Sequence, residues 1–150
     1  GTTLGQSIRF KESDIREMGR TAGGVRAIKL GKGDIIIGVG VIRKGEEKEG
    51  SKAAFLTMTE NGLGKKTHIK EYKTQKRGGS GIKTAKVMPK TGKVIIGRLV
   101  REEEELIAVS KKGQIIRTSL ESVPSLGRQT QGVSIMKLRP GDQIASLALM

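Results

Sequence analysis

The stretch GQSIRFKESDIREMGRTAGGVRAIKLGKGDII, residues 5 to 36, returns without a gap at 113 to 144 as GQIIRTSLESVPSLGRQTQGVSIMKLRPGDQI. Thirteen of the 32 positions are identical, and they include Gly5/Gly113, Arg9/Arg117, Gly19-Arg20/Gly127-Arg128, Gly24-Val25/Gly132-Val133, Lys29/Lys137 and Gly33-Asp34/Gly141-Asp142. The offset of 108 is twice 54, and a third copy lies between: GLGKKTHIKEYKTQKRGGSGIKTAKVMPKTGKVII, residues 62 to 96. Its Lys66 and Arg77 stand eleven residues apart, as do Arg9 and Arg20, and Arg117 and Arg128. This copy carries two extra residues around Pro89 to Gly92. Self-similarity at such a period is the mark of a chain built from one supersecondary unit repeated.

Within each copy the strand signals are short and β-branched: residues 25–30 (VRAIKL), 34–42 (DIIIGVGVI), 53–59 (AAFLTMT), 92–100 (GKVIIGRLV), 106–110 (LIAVS), 113–118 (GQIIRT) and 133–138 (VSIMKL). Glycine-rich or charged turns separate them, and helical periodicity is almost absent. An all-β fold follows, as a single repeat domain or partial ring with units at approximately 1–50, 51–104 and 105–150. Units of this size hold roughly four antiparallel strands and can bury their faces only against neighbouring units, which suggests blades set radially. Closed rings of blades usually need about four to eight, and this chain supplies roughly three. The expectation is therefore a piece of a larger domain, or a chain that self-associates to complete a ring. The charged runs at Lys44–Lys48 and Arg101–Glu105 fall between units and read as solvated loops.

The balance of 29 Lys and Arg against 15 Asp and Glu gives a formal charge of +14, so a polyanionic partner is expected. The charge is unevenly spread: residues 64–98 hold eleven Lys or Arg and one acid, Glu71. With no cysteine there is no disulfide framework and no thiolate metal site, and a reducing compartment fits best. The longest apolar run, Ile35 to Ile42, is far short of the roughly 20 residues of a membrane helix, and no signal peptide precedes it. The reading is a soluble, cytoplasmic protein with no membrane partner.

The most cationic loop is QKRGGSG, Gln75 to Gly81. Glycines let a backbone approach a phosphate and aim N–H groups at it, while Lys76 and Arg77 neutralise its charge. Together with GRTAGGVRAIKL, TENGLGKKTHIKEY and GRQTQGVSIMKL, this heptad resembles the C-terminal domain of the bacterial DNA gyrase A protein, a family shared in outline with topoisomerase IV. The resemblance covers essentially the whole chain. It implies a β-pinwheel, a propeller-like ring whose blades exchange strands, with duplex DNA wrapped around a basic rim. The family's box of Gln, two basic residues, two glycines, a basic residue and a glycine is matched at Gln75, Lys76, Arg77, Gly78, Gly79 and Gly81. Ser80 stands where the family has Lys or Arg. The box belongs to the family's first blade, whereas this heptad is in the second unit, and the chain is similar to the last three blades of a six-blade ring. The implied DNA-binding residues are Gln75, Lys76, Arg77, Gly78, Gly79, Ser80 and Gly81, extended by Lys65, Lys66, Arg9, Arg20, Arg26, Arg117 and Arg128. The implied partners are double-stranded DNA, the remainder of the gyrase A protein, and gyrase B. ATP and Mg would act elsewhere in the parent enzyme and the setting would be the bacterial nucleoid.

Other chemistries find little footing. GLGKKT (62–67) lacks the spacing of a nucleotide-binding loop. His68 is the only histidine, so no zinc site of the usual kinds can form. Tyr72, the only tyrosine, does not sit in the motif of a topoisomerase's nucleophile. Phe10, Phe55 and Tyr72 are too few to stack single-stranded bases, which favours duplex. Carboxylates such as Glu46–Glu47 and Glu102–Glu105 are contiguous, not convergent, so no catalytic residue is expected in this chain. Substrate selection by a topoisomerase IV domain, or a propeller that docks acidic proteins, are the alternatives that the residues leave open.

Overall fold

The computed structural model describes residues 1–103 and 105–150. Its strands are β1 (Gln6–Ser7), β2 (Ala54–Thr59), β3 (Leu63–His68), β4 (Ile82–Lys83), β5 (Val94–Val100), β6 (Glu105–Ser110), β7 (Ile115–Ser119), β8 (Val133–Ser134) and β9 (Ile144–Leu149). Among the described residues there is no α-helix; single 3₁₀ turns at Glu12–Asp14, Ile69–Glu71 and Leu120–Ser122 mark the same place in each unit. The units are not evenly spaced along the chain. Gly5 to Gly62 is 57 residues and Gly62 to Gly113 is 51, so the figure of 54 is an average; the longer connection before β2 makes the difference.

Every ladder is antiparallel, and the sheets cross the repeat boundaries. The central sheet has the order β5-β2-β3-β8, although β8 belongs by sequence to the third unit. Its register sets Leu63 opposite Ser134 and Gly64 opposite Val133. The first and second units repeat the device, with Gln6 opposite Lys83 and Ser7 opposite Ile82 in the β1-β4 pair. The third unit contributes β7-β6-β9. The second and third units thus each lend a short strand to the sheet of the unit before.

Some expected strands are shorter than their sequence suggested. Residues 133–138 give only the two of β8, and 25–30 form no ladder. Val25 occupies the position at which Ile82 and Val133 pair with a preceding unit, and the 150 residues hold no such unit for it. Residues 34–42 keep a bridge from Ile36 to Thr2 and bonds with Thr3 and Gly1, but no longer ladder.

Burial follows the same logic. A strand with one wet face alternates, as β6 does, whereas all six residues of β2 are buried because a neighbouring unit covers each face of its sheet. Ala54, Leu56 and Val100 meet Leu106, Leu120 and Val123 between the second and third units. Ala53, Phe55, Ile69 and Tyr72 pack with Ile82 and Leu99 of their own unit and with Ile42 of the first. The outer faces leave apolar side chains in water, among them Val39, 87% exposed, and Ile115, 66% exposed.

The two charged runs are not simply solvated loops. Arg101 pairs with Glu46 and donates to the Val41 carbonyl at 2.6 Å, stitching one run to the other. The guanidinium holds the Glu46 carboxyl below its usual range. Glu104, within the second run, lies outside the described residues.

Gly5 and Gly113 are equivalent, with φ of 84° and 83°. A Cβ at Gly5 would stand 2.5 Å from the Ala85 carbonyl oxygen of the next unit, whereas one at Gly113 meets no described atom within 4 Å. Gly113→Ala should therefore cost the left-handed backbone strain alone, about 1–2 kcal/mol. Gly5→Ala should add overpacking of about 1–3 kcal/mol. Thermal melting of the two variants checks the difference, and equal losses would contradict the packing described.

Candidate nucleic-acid interface

The second and third units each present one loop between the 3₁₀ turn and the lent strand, and that loop is clasped by the unit before it. In the second unit the clasp begins with Tyr72, which is buried, donates or accepts a 2.5 Å bond with Thr84 Oγ1, and meets the Phe55 ring edge-on at 6.0 Å. Burial raises its phenol pKa, against the opposing pull of hydrogen bonds to Thr84 and Thr67. Tyr72 is a core tether. The loop from Gln75 to Gly81 then lies along the first unit: Gln75 N donates to Arg9 O at 2.7 Å, Gly78 N to Ala27 O at 2.8 Å, and Lys29 N to Gly79 O at 2.8 Å. Arg77 reaches back too, with Nη1 to Arg26 O at 2.6 Å and Nε to Asp14 O at 3.1 Å.

The third unit uses the same contacts one step on. Lys66 N donates to Pro124 O at 2.9 Å, Leu126 N to Lys66 O at 2.8 Å, and Lys86 N to Thr130 O at 3.0 Å. Arg128 Nη1 donates to Lys83 O at 2.8 Å, as Arg77 does to the equivalent Arg26.

These contacts divide the residues expected on the rim. Lys76, Ser80, Arg20 and Arg26 are exposed, and so is Gly79, where a Cβ would make only ordinary contact with Ile8 and the Lys76 carbonyl. Arg77 and Arg128 are partly buried and spend some donors on the neighbouring backbone. Arg9 donates to Tyr72 O at 2.9 Å and Lys66 to Leu120 O at 2.8 Å, so both tie units together; burial lowers the Lys66 pKa, with Glu121 opposing. Arg117, equivalent to them, pairs with Glu105 instead. The Gln75 side-chain Oε1 is buried without a partner, and Gly78 and Gly81 have the positive φ of 84° and 75° that their turns require. At Gly81 a Cβ would collide with the Ser7 carbonyl, so that glycine serves unit packing.

Lys65 needs outright correction. It was expected in the cationic track, yet it is 1% exposed, its Nζ donating to Gly127 O and Arg128 O at 2.6 Å and to Thr130 Oγ1 at 3.0 Å. A side chain in this position has no route to a phosphate.

The residues that sequence reasoning passed over are Lys29, Lys86 and Lys137. All three are exposed, at the same place in the three units, and Lys29 and Lys86 sit directly beside the loop clasped to their own unit. The signal was present in the identity of Lys29 with Lys137 and in Lys86 within KTAK (83–86). Arg26 and Lys83 form a second matched pair of exposed cations. The arrangement is a series of cationic positions held at intervals by strand exchange, with no cluster of acids or nucleophiles among them.

A family model described as "DNA gyrase C-terminal domain, beta-propeller" matches residues 1–43, 54–96 and 104–149. The chain belongs to this family. Among relatives of this gyrase-family chain, the DNA gyrase A protein of Thermotoga maritima is 42% identical over 144 residues, 96% of this chain and 17% of that protein. The gyrase A protein of Staphylococcus epidermidis is 40% identical over 148 residues, 99% of this chain and 16% of that protein. The gyrase-family chain therefore spans less than a fifth of the length of these relatives. A solved DNA gyrase A C-terminal domain superposes with a TM-score of 0.79 at 25% identity, covering 99% of this chain and 48% of that one. The C-terminal domain of DNA topoisomerase IV superposes at 0.85 with 17% identity, covering 99% and 44%, a likeness of fold. Among the described residues of the gyrase-family chain, no helix is long and apolar enough to cross a membrane.

Burial, opposed by Glu71 and aided by Arg128, brings the Lys65 pKa from 10.5 down to about 8. Below pH 8 the ammonium is charged whether the chain is folded or not. Between 8 and 10.5 only the unfolded chain keeps the proton, so raising the pH through that window favours the fold. Melting curves should show the wild type gaining on Lys65→Met as pH rises from 8 to 10, and side-chain NMR should show one lysine titrating near 8.

Proposed function

We propose that this chain binds duplex DNA along its cationic rim, without reading sequence, and bends the duplex across successive units. The observation that carries this reading is the exposed series Lys29, Lys86 and Lys137, one per unit, flanked by Arg26 and Lys83 and by the Lys76–Ser80 tip of the heptad. Cations recurring once per unit can meet successive phosphates of a curved duplex, and neutralising each phosphate releases counterions. Curving a site of about 20–30 base pairs costs on the order of 1–6 kcal/mol, which several such contacts offset. No groove-reading helix and no stacking platform accompanies the series among the described residues, which supports backbone over base recognition.

Within a type II topoisomerase of the gyrase class, such a segment would be non-catalytic. It would present a wrapped duplex to the remainder of the gyrase A protein and to gyrase B, where ATP and Mg act, so that negative supercoils result. The bacterial cytoplasm, in contact with the nucleoid, is the compartment this requires. The sequence identity to gyrase A proteins favours that enzyme over topoisomerase IV.

The chain on its own also has matched open ends. Gly24 and Gly113 are open where the equivalent Gly132 and Gly5 are packed against a neighbouring unit. Gln114–Ile115 of one copy could therefore receive Val25–Arg26 of another in the β1-β4 register. Sedimentation should show head-to-tail association that Ile115→Lys weakens; a wild type that stays monomeric at every concentration would exclude it.

For DNA, gel retardation with random-sequence duplex should give an affinity that falls steeply with salt. The combined Lys29→Ala, Lys86→Ala and Lys137→Ala variant should lessen the slope by about 0.9 for each phosphate it no longer neutralises. No retardation, or a slope untouched by the three changes, would refute the reading.

A further inference from the structure

Lys65 is the one lysine in the chain whose relative exposure falls to 1%, and the units on either side do without it. Its equivalents are Ile8 and Ile116. Ile8 sits beneath the heptad, its Cδ1 3.9 Å from where a Cβ on Gly79 would stand. The residue equivalent to Gly79 in the third unit is Thr130, and where Ile8 faces a glycine without a side chain, Lys65 meets a polar one: Thr130 Oγ1 accepts from Lys65 Nζ at 3.0 Å and donates to Gly127 O at 2.8 Å. The exchange of Ile8–Gly79 for Lys65–Thr130 is a matched pair of changes across a unit boundary.

The third-unit loop also lacks support that the heptad has. Gly78 N donates to Ala27 O, but among the described residues the corresponding Gln129 makes no backbone bond to Thr84. Arg77 holds two carbonyls of the preceding unit and Arg128 one. What the loop has instead is a buried ammonium at the carbonyls of Gly127 and Arg128, and the Glu71 carboxylate taking the Arg128 N–H at 3.3 Å. We propose that Lys65 is a positioning residue: from inside the second unit it fastens the Gly127–Gly132 loop, and so fixes where Arg128 and its neighbours stand relative to the heptad on the rim. This rests on the DNA-binding reading for its consequence, but not for the fastening itself. Drawing two carbonyl oxygens inward also turns their negative ends away from an approaching phosphate. The groups facing the ammonium are Glu71, from the 3₁₀ turn of its own unit, and Arg128, from the loop it holds.

Hydrogen exchange and duplex binding, measured together on the full chain, test the proposal. Losing a charge-assisted hydrogen bond speeds local opening by about tenfold or more, so Lys65→Met should raise exchange of the Gly127–Gly132 amides, and of Lys86, by that factor while β2 stays protected. Affinity for random-sequence duplex should fall with the salt slope unchanged. A slope lessened by about 0.9 would mean that Lys65 touches a phosphate itself, and would overturn the positioning role. Unchanged exchange in the loop would overturn the fastening. Thr130→Val, which removes one partner without unburying a charge, should loosen the same amides, and the double variant should be no looser than Lys65→Met alone; additive effects would show that the two act separately. If Lys65→Met does not fold, Thr130→Val decides by the same two readouts. A wild type that does not bind duplex would defeat the DNA-binding reading and the rim consequence, while exchange in the loop would still decide the fastening.

Discussion

A sheet of three or four short strands has two apolar faces, and this chain has no α-helix among its described residues to cover either. The only cover available is another sheet of the same kind, and the molecule is organised by that need. The middle strand β2 is buried throughout because it has neighbours on both sides, while β6 keeps the alternation of a strand with one face in water. Strand lending makes the cover specific: a unit must approach in one register for Ile82 to meet Ser7, or Val133 to meet Gly64. Packing between units thus makes much of the core, joined by the second unit's own cluster of Ala53, Phe55, Ile69, Tyr72, Ile82 and Leu99.

The large positive charge divides along the same boundary. One set of cations is turned toward the backbone of a neighbour: Arg9 on Tyr72 O, Lys66 on Leu120 O, and Lys65 on the Gly127–Thr130 loop. A second set, Lys29, Lys86, Lys137, Arg26, Lys83 and Lys76, faces water. Net charge alone does not separate the two sets. The inward set satisfies carbonyls that the strand exchange would otherwise leave bare, and burial lowers the pKa of both its lysines. The outward set makes no such side-chain bond to a neighbour's backbone among the described residues.

Much of the fold was legible in the repeated 32 residues, since glycine positions and β-branched runs carry backbone geometry directly. Gly5, Gly62 and Gly113 all have positive φ, as do Gly24, Gly81 and Gly132. The short ladders at 25–30 and 133–138 were not legible, because their partners belong to other units and local sequence does not encode a distant neighbour. The candidate interface was half legible. The heptad announced itself by composition, but Lys65 and Lys66 look alike in GKKT, and only the ladder, which turns alternate residues to opposite faces, sends one inward to 1% exposure. Lys29, Lys86 and Lys137 were hidden for the opposite reason: single lysines in strand-like context carry no signal until the units are superposed.

The uneven chain spacing, 57 residues to one neighbour and 51 to the next, coexists with two backbone bonds made alike at both boundaries: Gln75 N and Leu126 N donate to Arg9 O and Lys66 O, and Lys29 N and Lys86 N donate to Gly79 O and Thr130 O. The length of chain between units is therefore decoupled from the contacts by which the units join. Connecting segments can lengthen, shorten or be rewritten, as the stretches before β2 and β6 already differ, while Lys29 and Lys86 keep the same backbone bond to the loop of the next unit. The molecule behaves as a ruler whose graduations are stamped by sheet-to-sheet contact and whose binding thread can be any length.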